Sequence, residues 1–254
     1  MTAVWRLLVC LLLAALALQL FFVLRIALMA WVDPASTSFQ RSQAWRIGTA
    51  QGALPWRQQW VPYGEISDHL KRAVLASEDD SFSQHSGVDW DALRKAWQKN
   101  EKAQAQVARR IEAASNVPAR SAAKPAAAIK PPKIVGGSTV TQQLAKNLLL
   151  SGERTLLRKG QELVLTVTLE ALLPKQRILE IYLNSVEWGE GVFGAEAAAQ
   201  HYFRKSAAQL GAQEAARLAV MLPAPKRFEK LPRSPYLAAR TQVIAARLAD
   251  VQLP

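Results

Sequence analysis

The sequence predicts a mainly α-helical body behind one N-terminal membrane helix. Three observations carry this. The chain opens on an apolar run long enough to cross a bilayer, later segments repeat apolar residues at three- and four-residue spacing, and strand-like alternation is scarce. The 254 residues suffice for one moderate domain with its own core plus an appendage. Half of the residues are apolar and eight are tryptophan, which argues against a disordered chain.

From Leu7 to Leu24 only Gln19 interrupts the apolar run, and after Arg25 it resumes from Ile26 to Val32 before Asp33-Pro34 ends it. About 20 such residues, at 1.5 Å each, span a hydrocarbon layer of about 30 Å. Ala15-Leu16-Ala17 formally resembles a signal-peptide cleavage site, but cleavage there would leave Leu18 to Leu24 as an apolar new terminus, so a retained anchor is expected. Arg25 lies near the end of the helix, where its stem can reach the interface that Trp31 would also occupy. Arg6 stands on one side and Arg25, Arg41 and Arg46 on the other, so charge bias alone leaves the orientation open. Cys10, the sole cysteine, lies in this run, which excludes an intramolecular disulfide and a cysteine metal centre.

Residues 34–63 carry Trp45, Trp56 and Trp60 among the breakers Pro34, Pro55 and Pro62, and read as a stalk that folds back on the body or sits at the headgroups. The body is expected over 64–254. Helices are predicted over 67–77, 89–100, 141–150, 156–173, 176–184, 195–203, 213–222 and 236–253. The β-branched run Val164 to Thr168 falls inside one of them. A glycine-rich turn is expected over 188–194, and Pro223 and Pro225 are expected to stop a helix. Residues 101–133 are rich in alanine, lysine, arginine and proline. The first part reads as a prolongation of the preceding helix, the rest as a basic insertion.

The net charge of +12 points to anionic headgroups or phosphates. Nucleic acid is not expected, because no zinc-finger, helix-turn-helix or RNP-type signature accompanies the charge. Four segments carry chemistry. In the first, Glu78 follows an apolar helix whose wall would raise its proton affinity toward that of a general base, with Asp79, Phe82 and His85 around it as candidate substrate-binding residues. In the second, Gly136-Gly137-Ser138-Thr139 leads into a helix at capping-box spacing, Thr139 to Gln142. Backbone amides are expected to be free there, and Gln142, Gln143, Lys146 and Asn147 fall on neighbouring rows. In the third, Arg154, Arg158 and Lys159 precede Glu162 on one helix side, offering guanidinium forks for phosphate and a carboxylate to orient a cation. The fourth, Lys175 to Asn184 followed by Trp188 to Phe203, reads mostly as structure.

With these segments in family order, the chain resembles the glycosyltransferase family 51 peptidoglycan glycosyltransferases of the monofunctional biosynthetic type. The motifs are Glu78-Asp79-x2-Phe82-x2-His85-x-Gly87, Gly136-Gly137-Ser138-Thr139-x-Thr141-Gln142-Gln143-Leu144-Ala145-Lys146-Asn147, Arg158-Lys159-x2-Glu162 and Ile178-Leu179-Glu180-x-Tyr182-Leu183-Asn184. The resemblance covers roughly residues 60 to 235. It implies a lysozyme-like helical glycosyltransferase domain that polymerises lipid II into glycan strands in bacterial cell wall synthesis, by inverting transfer with release of undecaprenyl diphosphate. The domain would lie on the periplasmic side of the cytoplasmic (inner) membrane, single-pass. It also implies Glu78 as general base and Glu162 as the second glutamate. Lys146, Arg154, Arg158 and Lys159 would face the diphosphate, with Ser138, Thr141, Gln142, Gln143 and Asn147 lining the cleft. No organic cofactor is implied, although a divalent cation, Mg or Mn, joins Glu162 and the diphosphate in some members. The partners implied are lipid II, the nascent glycan strand and the membrane, with other cell wall or division proteins. The separation between the first two motifs is longer than the family pattern, the excess being the tract at 101–133. Two rivals stand beside this reading. A lysozyme or lytic transglycosylase would also place a glutamate near a sugar cleft, and a membrane-anchored scaffold would need no catalysis.

Overall fold

The computed structural model describes residues 3–52, 55–115, 136–150, 152–153 and 155–254. It divides into two compact units, Met1–Val88 with Thr139–Pro254, and Asp89–Ser138.

The first unit begins with α1 (Ala3–Leu28), whose residues are long and apolar enough to cross a membrane. The chain is pinned as it leaves this helix. Arg177 donates from Nε to the Met29 carbonyl (2.8 Å) and from Nη2 to Asp33 Oδ1 (2.7 Å), with its guanidinium over the Trp60 ring. The stalk does fold back on the body. Thr37 and Gln40 form a capping box that starts α2 (Ser38–Gln51), and Ile47 is buried beneath it. Gln40 also reaches the Ser185 carbonyl at 3.3 Å. Strand β1 (Arg57–Gln58) then pairs in parallel with β3 (Val192–Phe193), which pairs antiparallel with β2 (Glu187–Gly189), giving the order β1-β3-β2. Gly191, at φ +73°, is required here, since a Cβ would stand 1.9 Å from the Pro55 carbonyl oxygen.

The remaining helices are α3 (Asp68–Glu78), α5 (Val140–Leu149), α6 (Leu156–Leu172), α7 (Lys175–Ser185), α8 (Ala195–Phe203), α9 (Ala212–Met221), α10 (Pro225–Lys230) and α11 (Pro235–Ala246). Their apolar stripes meet in one core. Leu70, Val74, Ala215, Leu218, Ala219, Leu237 and Ile244 bring α3, α9 and α11 together, while α5 packs against α6, α7 and α2. Ala195, Ala198 and Ala199 let α8 approach closely. Asn184 is fully buried and replaces a strand partner for Val61, accepting from its amide (3.0 Å) and donating to its carbonyl (2.9 Å).

The predicted helices are present with ends displaced by a residue or two, with three corrections. The helix expected to reach 253 ends at Ala246, followed by a 3-10 turn, Leu248–Asp250. Pro225 starts α10 at its first turn, where a missing N–H costs nothing, instead of only stopping a helix. The turn at 188–194 is the β2–β3 hairpin.

The second unit is built on α4 (Trp90–Ser115), capped by Asp89 through its carboxylate to the Ala92 amide at 2.7 Å. This helix runs well into the alanine- and lysine-rich tract, as the sequence leads one to expect. The basic stretch 116–133 lies outside the described residues. Gly137 belongs to this unit and approaches it closely, since a Cβ there would meet the Leu93 Cα at 3.2 Å.

Candidate active site

Glu78 ends α3, behind a wall of Val74, Leu75 and Ala76. Burial raises its proton affinity, and a hydrogen bond from Gln143, another from Ser77 and the charge of Lys146 work against that rise. The Gln143 contact is direct, Nε2 donating to Glu78 Oε2 at 2.9 Å. Gln143 cannot turn over freely, because Tyr182 donates its hydroxyl to Gln143 Oε1 at 3.0 Å. Tyr182 is buried on α7, where desolvation and then the charges of Glu78 and Asp79 hold its phenol well above its ordinary range, so it stays a donor. Sequence reasoning placed Tyr182 in the core and missed this relay. The signal it lacked was the approach of α7 to α5.

Asp79 has a structural task. Its Oδ2 accepts from the Val140 amide at 2.9 Å, so the carboxylate sits on the N-terminus of α5. Its Oδ1 meets His85 Nε2 at 2.9 Å, and His85 Nδ1 accepts from the Gly87 amide at 3.1 Å, which puts the ring proton on Nε2, facing Asp79. The Gly87 carbonyl accepts from Thr139 Oγ1 at 2.6 Å. Asp79, His85, Gly87 and Thr139 thus tie the turn after Glu78 to the start of α5, and the two sequence motifs meet.

The anion cradle expected at this helix start is not formed by free amides. The Thr139 amide donates to Gln142 Oε1, the Val140 amide to Asp79 and the Gln142 amide to Thr139 Oγ1. The side chain of Gln142 is therefore spent on the capping box. Thr141, expected to line the cleft, is fully buried and donates to Glu170 Oε1 at 2.5 Å. Phe82 is also fully buried, with Lys175 Nζ 4.2 Å from its ring centre. Ser138 is exposed and belongs to the second unit. On α5, Gln143, Lys146 and Asn147 keep some exposure, Lys146 the most, and lie along one side of the helix.

The cationic cluster lies on α6, which packs against α5. Glu162 is buried, with Oε2 2.8 Å from Arg158 Nη1 and Oε1 paired to Lys159 Nζ. Arg158 Nε is buried without a hydrogen-bond partner, a donor in want of an acceptor. Lys159 stays 54% exposed in its side chain. Arg154 lies outside the described residues. Among the described residues no three histidine, cysteine or acidic side chains gather as a metal centre.

Comparison with known proteins gives the family of the chain. The Transglycosylase family model matches residues 48–110 and 117–249. A biosynthetic peptidoglycan transglycosylase of Burkholderia thailandensis is 51% identical over 241 residues, 95% of this chain and 84% of the relative. One from Burkholderia pseudomallei is 49% identical, also over 95% of this chain and 84% of its own length. Another from Janthinobacterium sp. (strain Marseille) is 49% identical over 95% of this chain and 93% of its own length. The chain belongs to the transglycosylase family, with its lysozyme-like helical domain.

Proposed function

We infer that the chain is a peptidoglycan glycosyltransferase that polymerises lipid II into glycan strands. The observation that carries this is the role of α5. Its Gln143 holds the half-buried Glu78, and its packing partner α6 carries Arg158, Lys159 and Glu162. In the reaction, Glu78 takes the proton of the acceptor sugar 4-hydroxyl. That oxygen bonds to the anomeric carbon of the lipid-linked chain, and the bond from this carbon to the diphosphate oxygen breaks with inversion. The electron pair leaves on undecaprenyl diphosphate. Lys146, Arg158 and Lys159 neutralise the charge that develops, which fixed cations do without reorganising.

A divalent cation fits these residues poorly. The one carboxylate in the cluster, Glu162, has both oxygens engaged by cations. Charge neutralisation therefore falls to the cationic side chains.

The membrane supports the same reading. Gln19 of α1 and Gln161 of α6 exchange amide hydrogen bonds at 2.8 and 3.1 Å, which seats the first half of α6 against the anchor, with Gln19 about 9 Å along α1 from Arg25. Leu156 and Leu157, 92% and 86% exposed, would face lipid at the start of α6, which holds the helix that carries the cations against the bilayer where a polyprenyl diphosphate is anchored. We place the body on the extracytoplasmic face of the inner membrane, where wall polymer is built.

Purified protein given lipid II should lengthen glycan chains, and Glu78→Gln should not. Release of fragments from finished peptidoglycan without chain growth would favour the hydrolytic rival. Unchanged polymerisation by Glu78→Gln would overturn the assignment of the base.

A further inference from the structure

We propose that the chain binds the phosphodiester headgroup of an anionic phospholipid in a cavity where the membrane helix meets the body. The cavity, about 220 Å³, is lined by Arg25, Leu28 and Met29 of the α1 exit and by Asp33, Ser36 and Arg41 ahead of and within α2. Pockets that enclose whole small molecules begin near 300 Å³. This one suits a headgroup fragment whose tails remain in the bilayer.

Its charge is uncompensated. Neither Arg25 nor Arg41 has an ion-pair partner among the described residues. The carboxylate among the lining residues, Asp33, is already held by Arg177 Nη2 at 2.7 Å. Arg41 donates only to neutral oxygens, those of Ser36 and Ser38, which position its guanidinium without cancelling it. Helix α2 starts two residues beyond Ser36, so the positive end of its dipole adjoins the cavity.

Depth selects lipid over a soluble anion. The run from Leu7 to Leu24 covers about 27 Å at helical rise, close to the hydrocarbon thickness, which leaves Arg25 at the phosphate level. Trp31, 82% exposed, and the exposed Leu28 and Val32 flank it, as aromatic and aliphatic groups do at the interface. Two guanidinium forks and one phosphodiester are a charge-assisted match. A headgroup bound there would fix the angle at which the anchor leaves the bilayer, and through Arg177 and Gln161 the depth of α6. The inference rests on α1 lying in a membrane, not on the reaction.

The test uses the full-length protein in detergent micelles, with native mass spectrometry in the presence of dioleoylphosphatidylglycerol or dioleoylphosphatidylcholine. Wild type should retain one phosphatidylglycerol in preference to phosphatidylcholine. An arginine near an anionic surface contributes roughly fivefold, so Arg41→Gln should reduce the preference about fivefold and Arg25→Gln/Arg41→Gln about thirtyfold. Arg41 is exposed and Arg25→Gln eases membrane insertion, so both variants should fold, which thermal unfolding checks. Equal retention of both lipids by wild type, or an unchanged preference in the double variant, overturns the proposal. So does displacement of phosphatidylglycerol by undecaprenyl diphosphate at equal concentration, which would make the cavity part of the substrate site. Lipid II turnover measured on the same samples separates this outcome from failure of the proposed reaction.

Discussion

Replacing Tyr182 by phenylalanine removes one hydroxyl, and with it one hydrogen bond, from a buried side chain. Tyr182 is buried, and its hydroxyl donates to Gln143 Oε1. Without it that carbonyl oxygen loses its donor, at a cost of about 1–3 kcal/mol. For a chain of this size each kcal/mol lowers Tm by roughly 2–4 °C. The larger effect is on Glu78. The Gln143 amide is then free to turn and present oxygen to the carboxylate in place of Nε2, removing a hydrogen bond that favours the ionised base. A hydrogen bond to a charged group contributes about 1.5–3 kcal/mol, so on the acidic side of the profile the rate should fall roughly ten- to hundredfold. The assay is lipid II polymerisation across pH. Because the lost bond had opposed the effect of burial on Glu78, the acidic limb should move to higher pH while the plateau stays near wild type. Gln143→Leu should move it the same way. A Tyr182→Phe profile that superimposes on wild type, with only Tm changed, would refute the relay and leave Tyr182 a packing residue.

Glu78→Gln should raise Tm at neutral pH while it abolishes polymerisation. Burial raises the proton affinity of Glu78 in the folded chain, so its contribution to stability is intact below the ordinary value of 4.5 and is lost as pH rises through the folded value. The gain in Tm should therefore vanish in scans below that pH. Glu162→Ala should destabilise more than Lys159→Ala in urea or thermal unfolding, since Glu162 is buried between two cations, while the half-exposed Lys159 forms a pair of the kind that contributes about 0–1 kcal/mol. Gly191→Ala should cost about 3 kcal/mol or more, because a Cβ meets the Pro55 carbonyl in a left-handed backbone. Loss of soluble or micelle-stable protein on expression checks it. Gln19→Leu should weaken the seating of α6 by about 0.6 kcal/mol, up to about 1.7. The double variant with Gln161→Leu should recover much of that in thermal unfolding.

Much of this was legible in the sequence where one local rule decided the outcome. The Thr139–Gln142 spacing placed the start of α5, and the alanine-rich run placed α8 at residues 195–203. Glu78 read as a buried carboxylate because its helix is apolar on one face. Features set by distant partners were not legible. Helix α2 has no apolar stripe and is held by Gln40 and Ile47 against the body, so nothing in its own period announced it. The α5 amides read as free because Asp79, 61 residues earlier, gives no local sign that it will occupy one. Gln142 shared a polar stripe with Gln143 on paper, and the family resemblance put Thr141 in the same cleft. In the structure, neighbours spend one on Glu170 and the other on the cap. Tyr182 looked like core because it is core, and its function lies in the one polar atom that burial leaves directed at Gln143.

The separation of base from cations follows from their opposed needs. A general base at Glu78 gains from desolvation, which raises its affinity for the acceptor proton, and would lose that gain beside several cations. A departing diphosphate needs those cations. Helix α5 divides the two requirements between its neighbours. Among the described residues the cation that acts on Glu78 is Lys146, one turn beyond Gln143 and exposed, and its effect is weak beside that of burial. Arg158 and Lys159 stand on α6, and Glu162 balances one of their two charges until a phosphate arrives. Such partial compensation keeps the cations ordered without cancelling them. The half-exposed Lys159 is the member of the pair that an incoming phosphate oxygen meets without rearrangement, whereas Arg158 is mostly buried beside Glu162.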